Sequence, residues 1–193
     1  MKGDLNAQRG LTLIESIVGI VILGFALSVL VSGVFTSSST SHKATYQAQA
    51  ATLGHSVVTD ILSRQFDENN DPNGGQYRCG EKNDSGTLIN CSSNLGKDGG
   101  ETIAATFNDV DDFIGCWGEV SVCSSTSLPQ YQLGDLIGAS NADEYKNFTV
   151  EIVVNYSNVD GSNTVITPYK LIKVTLYGSH HAKYTFSAYR GNY

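Results

Sequence analysis

The pattern of hydrophobic and polar positions divides the N-terminal part of the chain into three segments. Residues 1–9 are largely polar, and residues 16–35 form an apolar run without a charged side chain. About 20 apolar residues are enough for a helix to cross the hydrocarbon core of a bilayer. The pattern therefore predicts a transmembrane helix at residues 11–35, which ends where the polar stretch 36–41 begins.

Beyond this stretch, apolar side chains return at helical spacing. The repeat every three or four residues predicts an amphipathic continuation of the same helix at residues 36–65. No proline interrupts residues 11–65, so one long helix can contain both parts. Its apolar stripe should lie against a sheet, and His55 should be solvated rather than a ligand. The stripe consists of Ala50, Leu53, Val57 and Ile61.

The C-terminal part alternates apolar and polar residues with a period of two, which is typical of strands. Three such runs follow one another at residues 148–156, 169–177 and 184–189. Short turns join them, so they predict an antiparallel meander whose apolar face covers the helical stripe. The expected fold class is α+β, with a globular domain at residues 66–193.

The segment between helix and meander, residues 76–146, is rich in Gly, Ser, Asn and Asp, and its pattern is weak. Residues 102–107 are β-rich and predict a further strand. Trp117 is the only tryptophan of the chain, and we expect it to anchor packing near a disulfide.

Composition and charge exclude several classes of function. The 193-residue chain has a net charge of −7 and no basic run, which argues against nucleic acid as a partner. No hydrolase, metalloprotease or nucleotide-binding motif is present. The histidine pair His180–His181 falls between two predicted strands, where a solvated turn is expected. We therefore expect no catalytic residues, no cofactor and no enzymatic activity.

All four cysteines lie beyond the apolar run, in the part that would be exported. Four cysteines in an oxidising compartment suggest two disulfides, for which the sequence allows three connectivities. We favour the local pairs Cys79–Cys91 and Cys116–Cys123, because each brackets a polar, turn-rich loop. A zinc site is the alternative, but no C-x-x-C spacing supports it.

Two acidic segments are candidate metal sites. Asp67, Asn69 and Asp71 alternate as in a calcium-binding loop, but Pro72 and Arg78 occupy the positions of the required glycine and glutamate. We therefore assign no metal ligands and expect solvated loop acids, with a non-standard calcium site joining the two segments as an alternative. The second segment contains Asp109, Asp111 and Asp112.

Glu15 places a carboxylate one helical turn inside the apolar segment. A carboxylate at the centre of a bilayer costs about 2.5–3.5 kcal/mol on insertion scales. If a signal peptidase cut near residues 31–33, Glu15 would be lost with the signal peptide. If the cut falls between Gly10 and Leu11, the helix is retained, and an α-amine of a neighbouring subunit can neutralise the carboxylate.

Residues 9–16, Arg-Gly-Leu-Thr-Leu-Ile-Glu-Ser, resemble the prepilin signature of type IV pilins and pseudopilins. The resemblance implies a pilin-like fold and a leader at residues 1–10, which an inner-membrane prepilin peptidase removes after Gly10. It also implies methylation of Leu11 and a role for Glu15 as the intersubunit acid. Leu11 departs from the family, which usually has phenylalanine at this position.

Internal stretches at residues 66–75, 77–80 and 107–113 resemble the minor pilins of mannose-sensitive haemagglutinin (MSHA) pili. This resemblance implies a low-abundance subunit that contacts the major pilin and other minor pilins. Basic residues before the apolar run place the leader in the cytoplasm and the C-terminal domain on the other side of the inner membrane, in the periplasm. The resemblance implies that the assembled protein is later part of the extracellular pilus. Two alternatives remain: a minor pseudopilin of a type II secretion system, and a secreted binding module with a cleaved signal peptide.

Overall fold

The structure, a computed structural model, describes residues 12–71, 77–160, 166–178 and 183–193, apart from the side chains of residues 34–42. The chain divides into two compact units, Met1–Thr45 and Tyr46–Tyr193. We call the second unit the sheet domain. Helix α1 (Leu13–Ser63) contributes residues to both units.

In the first unit, the large apolar side chains of α1 from Leu13 to Val31 are exposed. The segment Leu13–Gly33 has a mean hydropathy of 2.5 over 21 residues. It is long and apolar enough to cross a membrane, and it is the one candidate span among the described residues. The predicted apolar helix is therefore present, with its described part beginning at Leu13.

The sheet domain contains a five-stranded sheet and several short helices. The strand order is β2-β1-β3-β4-β5, and all neighbours are antiparallel except the pair β1–β2. The strands are β1 (Gly115–Trp117), β2 (Gln130–Tyr131), β3 (Phe148–Tyr156), β4 (Tyr169–Gly178) and β5 (Tyr184–Gly191). The short helices are α2 (Val120–Cys123), α3 (Leu133–Ile137) and α4 (Ala139–Ala142), with 3-10 turns at Ala104–Thr106 and Asp111–Phe113.

The predicted meander is confirmed as β3, β4 and β5. Its apolar face packs on the predicted helical stripe, and both are buried in one core. The α+β class and the helix-on-sheet arrangement of a pilin-like architecture are thereby confirmed. The core combines Ala50, Leu53, Val57 and Ile61 of α1 with Val150, Ile152 and Val154 of β3 and Ile172, Val174 and Leu176 of β4.

The expected strand at residues 102–107 is wrong, because this segment forms a 3-10 turn. Its buried side chains, Ala104 and Phe107, are three residues apart, whereas an exposed-and-buried strand would alternate every second residue. Arg64 donates hydrogen bonds to the carbonyl oxygens of Ala104 and Phe107, both at 3.1 Å. The Arg64 guanidinium thus binds backbone carbonyl oxygens that, in a sheet, would accept hydrogen bonds from a neighbouring strand.

Trp117 is fully buried in β1, as predicted for a packing anchor. Its ring stacks on Tyr131 of β2 with the centroids 4.5 Å apart, and its indole N–H donates to the Phe113 carbonyl at 3.1 Å. Strands β1 and β2 were not predicted, because three and two residues are too few to show a period in a Gly- and Ser-rich segment.

The structure contains two disulfides, Cys79–Cys91 and Cys116–Cys123, which are the local pairs. Replacing either pair with serine should lower the free energy of unfolding by about 2–3 kcal/mol, because the short loops are no longer constrained in the unfolded chain. Urea unfolding of the full-length protein in detergent measures this loss. Stability equal to wild type for both double variants would contradict a structural role of the disulfides.

Candidate functional site

The first turn of α1 is capped by the side chain of Thr12. The Thr12 hydroxyl accepts a hydrogen bond from the Glu15 backbone N–H at 3.4 Å, which satisfies one of the free donors of the first helical turn. The Glu15 side chain is exposed in that first turn. Gly10 and Leu11, the predicted cleavage site, lie outside the described residues.

The polar groups further along this segment are already satisfied within the helix. The hydroxyls of Ser28 and Ser32 donate to the carbonyls of Phe25 and Val29 at 2.8 and 2.9 Å. Such bonding lets serine occupy an apolar environment without an unpaired donor. Glu15 is the only charged residue between residues 11 and 35. It is therefore the one side chain in this stretch whose charge calls for a partner outside the helix.

A second polar site is buried inside the sheet domain around Lys170. This residue of β4 is fully buried, and its ammonium donates to the Phe66 carbonyl at 2.5 Å. The same ammonium contacts the Asp67 carboxylate at 3.3 Å and the Asp111 carboxylate. Lys170 thus joins the acidic loop that follows α1 to the second acidic segment. We call these three charged residues the buried triad.

Hydrogen bonds hold both carboxylates of the buried triad. Asp67 accepts from the backbone N–H groups of Ser92 and Asn69 at 3.0 and 3.2 Å, and Asp111 accepts from the Gly96 N–H at 3.0 Å. Burial works to raise the pKa of Asp67, but the charge of Lys170 and these backbone donors outweigh it. The pKa of Asp67 therefore lies below its ordinary value, which favours the carboxylate.

The expectation of solvated loop acids is wrong for four residues. Burial excludes water from Asp67, Asp109, Asp111 and Asp112, which are at most 2% exposed. The two acidic segments do meet, but the buried Lys170 ammonium lies between Asp67 and Asp111, where a calcium ion joining the segments would have to sit. The cysteines near Asp67 are in a disulfide and are not available as metal ligands.

Asp109 and Asp112 differ from Asp67 of the buried triad in the direction of their pKa shifts. For both residues, nearby charges and hydrogen-bond donors do not outweigh the effect of burial, which raises the pKa. Burial and the charge of Asp111 raise the pKa of Asp109 to about 8. Burial, opposed by backbone donors and reinforced by Glu101, raises the pKa of Asp112 to about 7. The raised pKa of Asp109 favours its uncharged form, which limits the negative charge beside the buried triad.

Sequence reasoning missed Lys170, although a signal was present. The residue falls on the inward-facing positions of β4, in register with Ile172, Val174 and Leu176. A lysine at such a position requires a buried anion, and the two acidic segments were the available partners. The predicted solvation of His55 is confirmed by its exposure, whereas His180 and His181 lie outside the described residues.

Comparison with known families identifies the N-terminal segment. Residues 5–31 match the family described as the prokaryotic N-terminal methylation motif. This match includes the predicted cleavage site and Glu15, and it implies processing by a prepilin peptidase and assembly with other pilins. Comparison with curated proteins and with solved structures gives no match. The chain therefore carries a prepilin-type N-terminal segment, and its α+β fold has a pilin-like architecture.

Proposed function

We propose that this protein is a minor pilin, a structural subunit without enzymatic activity that helps to initiate or modify an MSHA-like type IV pilus. The observation that carries the proposal is the position of Glu15. It lies in the first turn of a candidate membrane span and within the matched methylation motif. The internal resemblances to MSHA minor pilins support the choice of pilus.

The proposed assembly step follows from charge neutralisation. Cleavage after Gly10 creates an α-amine at Leu11, which is largely cationic at neutral pH because its pKa is about 8. The Glu15 carboxylate and this amine carry opposite charges at nearly the same depth in the membrane. Pairing between adjacent subunits removes both charges from the apolar interior, so packing side by side becomes favourable only for cleaved subunits.

The proposed topology places the leader in the cytoplasm and the sheet domain in the periplasm until assembly. Both disulfides lie in the sheet domain, which supports an oxidising compartment for it. A minor pseudopilin of a type II secretion system is the second candidate, because the methylation motif supports a pilus and a pseudopilus equally.

Deleting the gene and examining sheared surface fibres and secreted proteins separates the two candidates. A minor pilin predicts fewer or absent pili with unchanged secretion, and small amounts of the tagged protein in purified fibres. Lost secretion with normal pili would instead identify a pseudopilin. Normal pili and normal secretion, with the protein soluble outside the cell, would contradict both.

A further inference from the structure

A second group of acidic side chains meets at the surface of the sheet domain, next to the buried triad in the chain but without sharing a residue with it. One carboxylate oxygen from each of Asp98, Glu101 and Asp112 lies within 4.8 Å of the others. Asp98 is exposed, Glu101 is half-buried and Asp112 is buried, so the group leads from solvent to the protein interior. We call these three residues the rim cluster.

Local backbone structure brings the rim cluster together. A tight turn links Asp98 and Glu101, in which the Glu101 N–H donates to the Asp98 carbonyl at 3.4 Å and the Asp98 N–H donates to the Glu101 carboxylate at 3.3 Å. Gly100 in this turn has a φ of 103°, which glycine adopts without strain. The turn thus places Asp98 and Glu101 close together, and the Asp98 N–H holds the Glu101 carboxylate.

Asp112 supplies the observation that points to a ligand. Its Oδ2 accepts the backbone N–H groups of Asn108 and Asp109 at 2.9 and 3.0 Å, which fixes the side chain. Its Oδ1 is buried and, when the carboxyls are ionised, finds no hydrogen-bond donor in the described part of the chain, while the Glu101 carboxylate lies beside Asp112. A buried carboxylate oxygen without a partner is costly, and here it belongs to a carboxylate that faces two more carboxylates.

Neither Lys97 nor Lys170 supplies a counter-charge in contact with the rim cluster. The Lys97 ammonium lies over the rings of Tyr131 and Trp117, at 3.5 and 4.4 Å from their centroids. Among the described residues, Lys97 forms no salt bridge with the rim cluster, and Lys170 is committed to the buried triad. Within the part of the chain that the structure describes, the rim cluster therefore has no protein cation in direct contact, although Asp112 and Glu101 attract the Lys97 ammonium electrostatically.

The geometry of the rim cluster suits a hard divalent cation. Calcium binds oxygen ligands at 2.3–2.6 Å, so two ligands of one ion are at most about 5 Å apart, and the three oxygens, all within 4.8 Å of one another, meet this limit. All three ligands are carboxylates, and two come from a solvent-exposed turn that leaves room for water. Magnesium demands a stricter octahedron and zinc prefers nitrogen or sulfur, so both fit this site less well.

We propose that the sheet domain binds one calcium ion at Asp98, Glu101 and Asp112. Asp112 anchors the ion from the interior, and the two turn residues close over it with water completing the coordination. Binding ties the turn at residues 97–101 to the 3-10 turn Asp111–Phe113, which also contributes Asp111 to the buried triad. The proposal concerns the domain itself and holds for a pilus subunit and a pseudopilus subunit alike.

Calorimetric titration of the full-length, chelator-treated protein in detergent with CaCl₂ tests the site. One ion should bind with a Kd of about 10⁻⁴–10⁻³ M, the range of extracellular calcium modules. Thermal unfolding should shift upward by roughly 4–8 °C at about 10 mM calcium. Magnesium at equal concentration should bind more weakly. Absence of binding, or equal binding of magnesium, would overturn the assignment.

Two double variants, one in the rim cluster and one control, test the location of the calcium site. Asp98→Asn with Glu101→Gln should abolish calcium binding and the thermal shift, because both side chains keep their shape but lose their charge. The control is Asp143→Asn with Glu144→Gln, which removes two exposed charges from another surface and should bind calcium as wild type does. Retained binding in the first variant, or loss in the control, would contradict the site.

Asp112→Asn distinguishes a metal ligand from a merely structural acid. The asparagine carbonyl can still accept both backbone N–H groups, and its amide can donate to Glu101. We therefore expect the calcium-free variant to melt at or above the wild-type temperature, while calcium no longer raises it. A lower melting temperature without calcium, or a calcium shift as large as in wild type, would overturn the proposed role of Asp112.

Discussion

Replacing Lys170 with methionine is expected to lower the free energy of unfolding by about 3–5 kcal/mol, because it leaves buried carboxylates without their counter-charge. The ammonium of Lys170 contacts both Asp67 and Asp111, and all three side chains are at most 3% exposed. Methionine fills a similar volume, so the loss reports charge rather than packing. Urea unfolding followed by the fluorescence of Trp117, the only tryptophan of the chain, measures it.

Lys173→Met is the matched control, because Lys173 lies on the same strand but is exposed. A surface substitution of this kind changes stability by less than about 0.5 kcal/mol. Both variants replace a lysine of β4 with methionine. The Lys170 variant loses a charge on the buried face of the strand, and the Lys173 variant loses one on the exposed face. Similar stability of the Lys170 variant and wild type at neutral pH would contradict a structural role of the buried triad.

Acid should reduce the difference between the Lys170 variant and wild type. The pKa of Asp67 is lowered in the folded protein, so its ionisation stabilises wild type above the unfolded pKa of about 4 and loses this effect as pH falls through the folded pKa. In the variant, the same carboxylate takes up its proton more readily. A stability deficit that is equally large at pH 3 and pH 7 would show that charge is not its cause.

Charge reversal at the N-terminus, Glu15→Lys, is expected to abolish incorporation into fibres while leaving membrane insertion intact. A lysine one turn from the end of the apolar segment can reach the interface, so insertion tolerates it. In an assembly, however, it would place a cation beside the amine of the adjacent subunit. Quantifying the tagged protein in membranes and in sheared fibres gives both measurements.

Glu15→Gln is the companion variant, because it keeps the shape of the side chain and removes only the charge. We expect it to insert normally and to enter fibres far less than wild type, but without the repulsion of the lysine variant. Full incorporation of either variant would refute the proposed neutralisation. Failure of the glutamine variant to insert would show that Glu15 acts in the membrane rather than in assembly.

Much of the fold follows from sequence periodicity, because long elements repeat their pattern often enough to be recognised. Strands β3 to β5 and the buried stripe of α1 contain several periods each, and the structure confirms them. The strand expected at residues 102–107 had only one or two periods. There, the chain forms a 3-10 turn whose carbonyl oxygens accept tertiary hydrogen bonds from Arg64, and no local pattern encodes these contacts.

The buried polar network was less predictable than the fold. Each acidic segment alone has the composition of a solvated loop. The burial of Asp67 and Asp111 follows from their pairing with Lys170, about 100 and 60 residues later in the chain. The rim cluster likewise combines a loop with a 3-10 turn that no spacing rule connects. The N-terminal segment was recognisable from sequence, because its chemistry is contained in eight consecutive residues.

The mass and N-terminal sequence of the mature protein, purified from its native membrane, test the central claim most directly. The account predicts a chain that begins at Leu11, carries one methyl group on its terminal amine and retains the whole of α1. A mature chain that begins near Val34, without the apolar helix and Glu15, would contradict it.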